Sequence, residues 1–221
     1  RGIDVALLYQ PSSFRLIAEQ HIRIPSHELK RKPTRDILHV AGRVLSGDTL
    51  DVFVCHMPSR SGGEKQSEPY RLFTARMLRH AADSVMKIRR TPYLIIIGDF
   101  NDYPESRSIC QTLGAGKPGK DIHSLNLYNL MNGKQGGTYR YRGEWGILDQ
   151  LILNGTFLKQ QGNLTTSYDR ARILTFPFLL EEDENYGGDK PFRTYNGMKY
   201  HGGYSDHLPV CFDIELKCPA P

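Results

Sequence analysis

Polar side chains that could act on a phosphate stand where apolar runs of the chain begin or end. The strings that carry them are Gly98-Asp99-Phe100-Asn101, Leu148-Asp149-Gln150-Leu151, Ser205-Asp206-His207-Leu208-Pro209 and His56-Met57-Pro58-Ser59-Arg60. Carboxylates can hold a divalent cation, an imidazole can move a proton, and an amide can donate to a phosphoryl oxygen. No single string is persuasive, but the ordered set is hard to obtain by chance. We therefore predict metal-assisted attack of water on a phosphate ester.

Asp99 and Asn101 follow an apolar run at 93–97, which has the length of a strand that is buried on both faces. Side chains alternate along a strand, so we expect Asp99 and Asn101 to lie on the same side. One would hold a metal or a water, and the other would donate its amide to a phosphoryl oxygen. The same spacing is common in β-turns, which is the alternative for this string taken alone.

Asp149 lies inside another apolar run, where a carboxylate has to be paired or hydrogen-bonded. Its natural partner is the ring of His207, because such a contact fixes the tautomer of an imidazole and raises its basicity. Asp206 would then remain available for a metal or a water. The alternative is that these residues are ordinary buried polar groups.

His56 ends an apolar run at 50–55, and a polar loop follows it. A histidine at a strand end can protonate a leaving group or bind a phosphate oxygen, although a lone histidine is more often structural. Arg60 could neutralise phosphate charge or could be a solvated surface residue. No nucleophile elbow, phosphate-binding glycine loop, dinucleotide-binding glycine pattern or HExxH string is present. Water activated on a divalent metal is the remaining reaction class.

The bulk composition is that of a soluble globular protein. The chain has 221 residues, 39% of them apolar and 24% charged, and we predict a single domain over 1–221. No apolar run approaches the ~20 residues of a transmembrane segment. The net charge of +5 suits a polyanion such as nucleic acid or a phosphorylated headgroup, and an ordinary solvated surface explains it equally well.

Hydrophobic patterning predicts strands in clusters, with few helices between them. The predicted strands are 3–9, 14–24, 36–46, 50–56, 93–97, 138–142, 147–153, 172–176 and 208–216, and the predicted helices are 69–90 and 104–113. Clustered strands favour antiparallel sheets capped by helices over strict βαβ alternation.

These strings, in this order, resemble the endonuclease/exonuclease/phosphatase superfamily with its deoxyribonuclease I-like fold. The resemblance runs from Gly2-Ile3-Asp4-Val5-Ala6-Leu7-Leu8-Tyr9 to Ser205-Asp206-His207. The strings from Thr138 to Trp145 and from His56 to Arg60 are similar to a bacterial branch. It implies a four-layer α/β/β/α sandwich and Mg²⁺- or Mn²⁺-dependent hydrolysis of phosphoesters.

Roles follow from the resemblance position by position. Asp99 would bind metal or orient the water, and Asn101 would contact the phosphate. His207 would be the general base or transition-state stabiliser, and Asp149 would orient it.

The same resemblance makes Asp206 a carboxylate on the metal side and His56 a second catalytic histidine. Arg35 resembles an arginine close to the phosphate. Tyr195 and Tyr200, in a polar segment at 190–204, are expected to border the site and to shape specificity.

The chain departs from the family at its beginning. The family opens with a strand carrying an Asn and a strand carrying the principal metal-binding Glu, and neither is found here. We therefore expect the C-terminal two-thirds of such a domain, with the preceding segment as a partner. Weak metal binding is expected, and inactivity of the chain on its own is an open alternative.

Three functions remain in competition. The first is a nuclease or other phosphodiesterase acting on nucleic acid. The second is a phosphoesterase of the same superfamily that cuts a phospholipid headgroup or an inositol phosphate. The third is a non-catalytic binding module, against which stands the number of polar groups kept at strand ends. A soluble protein, cytoplasmic or exported in a bacterium, is expected.

Overall fold

The computed structural model describes residues 4–25 and 34–217, and a central sheet organises them. In chain order the regular elements are β1 (Phe14–Ile22), β2 (Ile37–Val44), β3 (Thr49–His56), α1 (Glu64–Ile88), β4 (Tyr93–Asp99), β5 (Ala115–Gly116), β6 (Leu127–Asn129), β7 (Tyr139–Tyr141), β8 (Glu144–Gly146), β9 (Asp149–Asn154), β10 (Leu164–Thr165), β11 (Arg172–Ile173), β12 (Leu180–Glu182), β13 (Asp189–Pro191), β14 (Tyr195–Asn196), β15 (Lys199–Tyr200), β16 (Val210–Cys211) and β17 (Glu215–Leu216). Seven strands form the sheet in the order β1-β2-β3-β4-β9-β6-β5.

The sheet is mixed. Strands β3 and β4 are parallel, as are β5 and β6, and the other neighbours are antiparallel. The remaining strands form two-stranded ladders, of which β10–β17 and β11–β16 contribute to the core on the sheet face opposite α1. The α/β class expected from the sequence is confirmed, and among the described residues the second sheet is represented by these short ladders.

Strand β4 separates two hydrophobic cores. Leu94 and Ile96 pack with Leu78 of α1 on one face. Ile95 packs with Leu151 of β9 on the other face. Covering both faces explains why this strand is apolar at successive positions, and it makes β4 the centre of the fold.

Helix α1 begins at Glu64, five residues before the predicted start at 69. Pro69 therefore lies inside the helix rather than at its first position. The first four N–H groups of a helix have no partner within it, so a proline placed just beyond them removes a single hydrogen bond. Leu78 and Ala82 of the covered face are fully buried, whereas Ile88 at the end of the helix is 73% exposed.

Several predicted strands were wrong in extent. Residues 4–9 form no strand, and residue 3 lies outside the described ranges. The strand predicted at 172–176 is limited to β11, and the one at 208–216 is divided into β16 and β17. A π-helical turn at Ser108–Leu113 replaces the helix predicted at 104–113. Apolar alternation predicts a buried face, whereas strand length depends on a hydrogen-bonding neighbour.

None of the helices in the described ranges combines the length and apolar character needed to cross a bilayer.

A buried carboxylate joins the end of α1 to the sheet. Asp51 of β3 is completely buried and receives two hydrogen bonds from Arg89, at 2.7 and 2.8 Å. His39 of β2 lies 2.9 Å from the same carboxylate and stacks on Phe53. Burial raises the pKa of Asp51, but hydrogen bonds and charge from Arg89 and His39 outweigh burial and hold the pKa below its ordinary value.

We expect Arg89→Ala to lower the free energy of unfolding by about 3 kcal/mol at pH 7, because it leaves a buried carboxylate with one partner fewer. Chemical denaturation measures the loss. Arg90→Ala, at the exposed neighbouring position, is the matched control. Because the folded pKa of Asp51 is lowered, this stabilisation exists above the unfolded pKa of ~3.9 and disappears as the pH falls through the folded pKa. An equal loss in both variants would contradict this account.

Candidate active site

Three strand ends form a row of polar side chains across the centre of the sheet. His56, the last residue of β3, is in register with Asp99, the last residue of β4. Asp99 is also in register with Asp149, the first residue of β9. Each lies two residues from an apolar side chain of the core opposite α1, so strand alternation places all three on that face.

Gly98 allows β4 to reach this position. Its φ is +131°, and a Cβ atom there would lie 1.9 Å from the carbonyl oxygen of Cys55. Only glycine fits this close approach between β3 and β4. The glycine of the Gly98-Asp99 string is therefore required by the same strand pairing that aligns His56 with Asp99.

His207 belongs to the C-terminal part of the described residues and contacts the row at Asp149. Its Nδ1 lies 2.7 Å from Oδ2 of Asp149, which is the pairing expected from the sequence. An ionised carboxylate can only accept a hydrogen bond, so Nδ1 donates and Nε2 is left for chemistry. A single bridge to Tyr139 of β7 and a ring contact with the same tyrosine, at 4.8 Å between centroids, fix the ring position.

Asn101 holds Asp99 in place. Its backbone N–H donates to Oδ1 of Asp99 at 2.7 Å, and its side-chain amide donates to Oδ2 of Asp99 and to the carbonyl of Met57. Its φ of +50° is the left-handed conformation that asparagine tolerates better than most residues. Contact with phosphate stays a prediction for Asn101. The hydrogen bonds show that Asn101 orients the carboxylate of Asp99.

Beneath Asn101 lies a buried ionic network that the sequence analysis missed. Asp102 is 2% exposed and pairs with the fully buried Arg71 at 2.8 Å. The hydroxyl of Ser108 donates to the same carboxylate at 2.5 Å. Arg60 donates through Nε to the carbonyl of Asn101 at 2.8 Å and lies 3.5 Å from Asp102. These contacts anchor the loop that carries Asn101, and they direct Arg60 towards that loop.

A second missed group is Gln150, which is completely buried next to Asp149. Its amide donates to the carbonyls of Asp102 and Ile147, and its oxygen accepts from Asn129. A polar residue within an apolar strand was the available signal, because buried polar groups require partners. Gln150 links β9 to the loop after β4, so Asp149 and Asp99 keep a fixed separation.

The electrostatic environment shifts the pKa values of Asp99 and His207. Burial raises the pKa of Asp99 to about 6; charges on Asp149 and Asp206 act in the same direction, and His207 opposes them. Burial lowers the pKa of His207, but the hydrogen bond and charge of Asp149, with the charges of Asp99 and Asp206, outweigh it and raise the pKa overall. His56 Nε2 lies 3.3 Å from Oδ2 of Asp99.

Asp99, Asp149 and His207 can each offer a metal-ligating atom, and these atoms lie within 4.8 Å of one another. Carboxylate oxygens are the ligands that Mg²⁺ and Mn²⁺ prefer, and Mg²⁺ commonly binds through one or two carboxylates with water and substrate phosphate completing its shell. Since Nδ1 of His207 is engaged by Asp149, the two carboxylates are the better ligands here. The donor set therefore fits a divalent cation.

The other predicted site residues, Arg35, Asp206, Tyr195 and Tyr200, lie outside this row. Arg35 precedes β2. Leu38 of β2 pairs with Val54 of β3, so Arg35 lies near the end of β3 that carries His56. Asp206 is exposed, is not part of the three-residue group, and acts on Asp99 and His207 through its charge. Tyr195 and Tyr200 pair across the β14–β15 hairpin with ring centroids 5.6 Å apart, and both are exposed.

The chain belongs to the endonuclease/exonuclease/phosphatase family, whose model matches residues 1–216. Members of this family are hydrolases that act on phosphoesters, and they generally use divalent metals. No curated protein sequence matches the chain.

Solved structures show the same fold at low sequence identity. The catalytic domain of human Nocturnin with bound sulfate has a TM-score of 0.56 and 16% identity over 93% of this chain and 61% of its own. Zebrafish (D. rerio) TDP2 complexed with single strand DNA product has a TM-score of 0.52 and 14% identity, covering 90% of this chain and 67% of its own. Mannosyl-6-phosphatase of Bacteroides thetaiotaomicron has a TM-score of 0.54 and 15% identity, covering 93% and 68%. The chain thus spans about two thirds of the length of these relatives.

We expect millimolar Mn²⁺ to raise the melting temperature at pH 7.5 and to lose this effect as the pH falls through about 6, the pKa of Asp99. Protons compete with the metal for the carboxylate, so apparent affinity falls about tenfold for each pH unit below that pKa. Differential scanning fluorimetry with EDTA controls measures the shift. Asp99→Asn is expected to lose it at every pH. A shift of equal size at pH 5 and pH 7.5 would exclude Asp99 as a ligand.

Proposed function

We propose that this protein is a divalent-metal-dependent phosphodiesterase, most simply a nuclease, that hydrolyses its substrate with activated water. The observation that carries the proposal is that potential ligand atoms of Asp99 and Asp149, at adjoining strand ends, and of His207 lie within 4.8 Å of one another. Ionisable groups with perturbed pKa values are typical of catalytic sites. The net charge of +5 favours a polyanionic substrate.

In the proposed reaction, a water oxygen forms a bond to phosphorus and the bond from phosphorus to the ester oxygen breaks. A bound Mg²⁺ or Mn²⁺, held by Asp99 and Asp149, would supply charge neutralisation and lower the pKa of water. Asp206, on the exposed side of the row, is the additional carboxylate that we assign to the metal side. The proton from water goes to solvent or a side chain, and the leaving oxygen takes up a proton.

The two histidines have complementary positions in this scheme. The raised pKa of His207 favours its charged form near neutral pH, so Nε2 of His207 is suited to stabilise negative charge developing on the phosphoryl oxygens. His56, on the opposite side of Asp99, is suited to move a proton to the leaving oxygen. We assign Asn101 to orient Asp99 and to contact the phosphate, and Asp149 to orient His207.

Substrate binding is assigned to Arg35 and Arg60 near the strand ends and to Tyr195 and Tyr200 on the neighbouring hairpin. Two similar structures indicate the range of the fold: TDP2 is complexed with single strand DNA product, and the Bacteroides protein is a mannosyl-6-phosphatase. We favour nucleic acid over a phosphorylated sugar or lipid headgroup because of the basic charge of this chain.

We expect the purified chain to nick supercoiled plasmid DNA in Mg²⁺ or Mn²⁺ and to lose this activity in EDTA. Asp99→Asn and His207→Ala are each expected to reduce the rate at least ~100-fold, the scale of a missing acid–base group. Gel quantification of nicked circles gives the rates, and a phosphate monoester assayed in parallel tests the phosphatase alternative.

Matched controls are Asp121→Asn and His80→Ala, at exposed positions outside the row. Both controls should nick DNA at the wild-type rate. Metal-independent nicking, or equal activity in Asp99→Asn and the wild-type chain, would contradict the assigned site. Hydrolysis of the monoester with no action on DNA would replace the phosphodiesterase proposal by a phosphatase.

A further inference from the structure

A set of exposed aromatic rings lies beside the segment that carries His207. We call Phe176, Phe178 and Tyr204 the aromatic platform. The rings of Phe176 and Phe178 are parallel to within 6°, with centroids 5.7 Å apart, and Tyr204 contacts Phe178 edge-on at 5.5 Å. Their exposed fractions are 49%, 58% and 61%, so large apolar surfaces face solvent. Grouped exposed apolar surface of this kind is typical of a binding site.

The platform lies next to the catalytic row because two segments run antiparallel past each other. Arg172 and Ile173 of β11 pair with Cys211 and Val210 of β16, and the N–H of Leu174 donates to the carbonyl of Pro209. The ring contact between Phe178 and Tyr204 continues the same alignment. Phe176, which lies between these contacts, is therefore placed alongside Asp206 and His207.

Backbone hydrogen bonds position the segments that carry the platform. The N–H of Phe192 donates to the carbonyl of Leu179 at 2.8 Å, and the N–H of Tyr204 donates to the carbonyl of Phe192 at 2.7 Å. Pro177 stands between the two phenylalanines and opens a 3₁₀ turn. Rings that contact one another on a hydrogen-bonded backbone lose less conformational entropy when a ligand stacks on them than rings on an irregular segment, so the platform is suited to a flat partner.

We propose that the aromatic platform binds an unpaired nucleobase of a single-stranded nucleic acid, next to the phosphate held at the catalytic row. This inference rests on the proposed phosphodiesterase function. Every base has a π-face that stacks on aromatic side chains, and such stacking tolerates sequence. In a duplex, neighbouring bases cover these faces, so the platform selects single strands or strand ends. The positive net charge attracts the backbone, and the rings then add affinity for the base.

Fluorescence anisotropy in EDTA separates base recognition from hydrolysis. The probes are a labelled oligothymidylate and an abasic oligonucleotide of equal length and charge. The wild-type chain is expected to bind the oligothymidylate at least about fivefold more tightly than the abasic strand, the lower end for base–aromatic stacking. Phe178→Ala and Tyr204→Ala should each remove most of this preference and leave binding of the abasic strand unchanged.

Two further variants make the test specific. Phe178→Trp keeps a ring face and is expected to retain the preference, while Tyr9→Ala, an exposed tyrosine that precedes β1, should change nothing. Thermal unfolding checks that each variant is folded. Equal wild-type affinity for the two strands, or an equal loss for both strands in the platform variants, would overturn the inference.

The outcome is also distinguishable from failure of the proposed function. Metal-dependent nicking without base preference would overturn the platform alone. Base preference without nicking in any metal would leave the platform in place and overturn the phosphodiesterase assignment.

Discussion

The alignment of β3, β4 and β9 is the constraint on which the rest of the molecule depends. Parallel pairing of β3 with β4 and antiparallel pairing of β4 with β9 bring the end of two strands and the start of a third to one edge. A one-residue slip in either ladder would turn a polar side chain of the row to the opposite face of the sheet. The close approach at Gly98 and the buried Gln150 both act on this alignment, which is why they matter to the site.

Charge is concentrated at the row at an energetic cost. Burial of Asp99 near Asp149 and Asp206 disfavours its ionised form, and the fold offsets this with hydrogen bonds from Asn101 and with the cationic form of His207. Since the folded pKa of Asp99 is raised, its ionisation contributes against folding as the pH rises above the unfolded value. A cation at the two carboxylates would relieve this repulsion, so the same arrangement that weakens the metal-free fold is suited to binding metal.

The row with its buried network and the aromatic platform have different physical characters. The row and the network of Asp102, Arg71 and Ser108 beneath it consist of short, directional contacts between partly or fully buried groups. The aromatic platform beside it is apolar and exposed, and its geometry is set by backbone hydrogen bonds from neighbouring segments. Chemistry at phosphorus needs directional groups, whereas recognition of a flat ligand needs surface area, and in the proposed function adjacent segments would supply the two.

The sequence by itself determined the α/β class, the family, the burial of β4 and the pairing of Asp149 with His207. The family follows from the resemblance of the ordered strings to known members. The other features follow from local pattern, because an apolar run must be covered and a carboxylate within it must find a partner. It misjudged the start of α1 and the lengths of several strands, because these depend on which backbone groups find neighbours.

Only the tertiary structure revealed that Asn101 bonds to Asp99, that Arg60 is directed to the loop after β4, and that Arg71 and Asp102 are paired in the interior. It likewise brought Phe178 and Tyr204 together from segments that are distant in the chain. The spacing of residues in a sequence limits which groups can share a strand face. The contacts of side chains on separate segments are decided by strand register and loop conformation, and these are set by the packing of the whole fold.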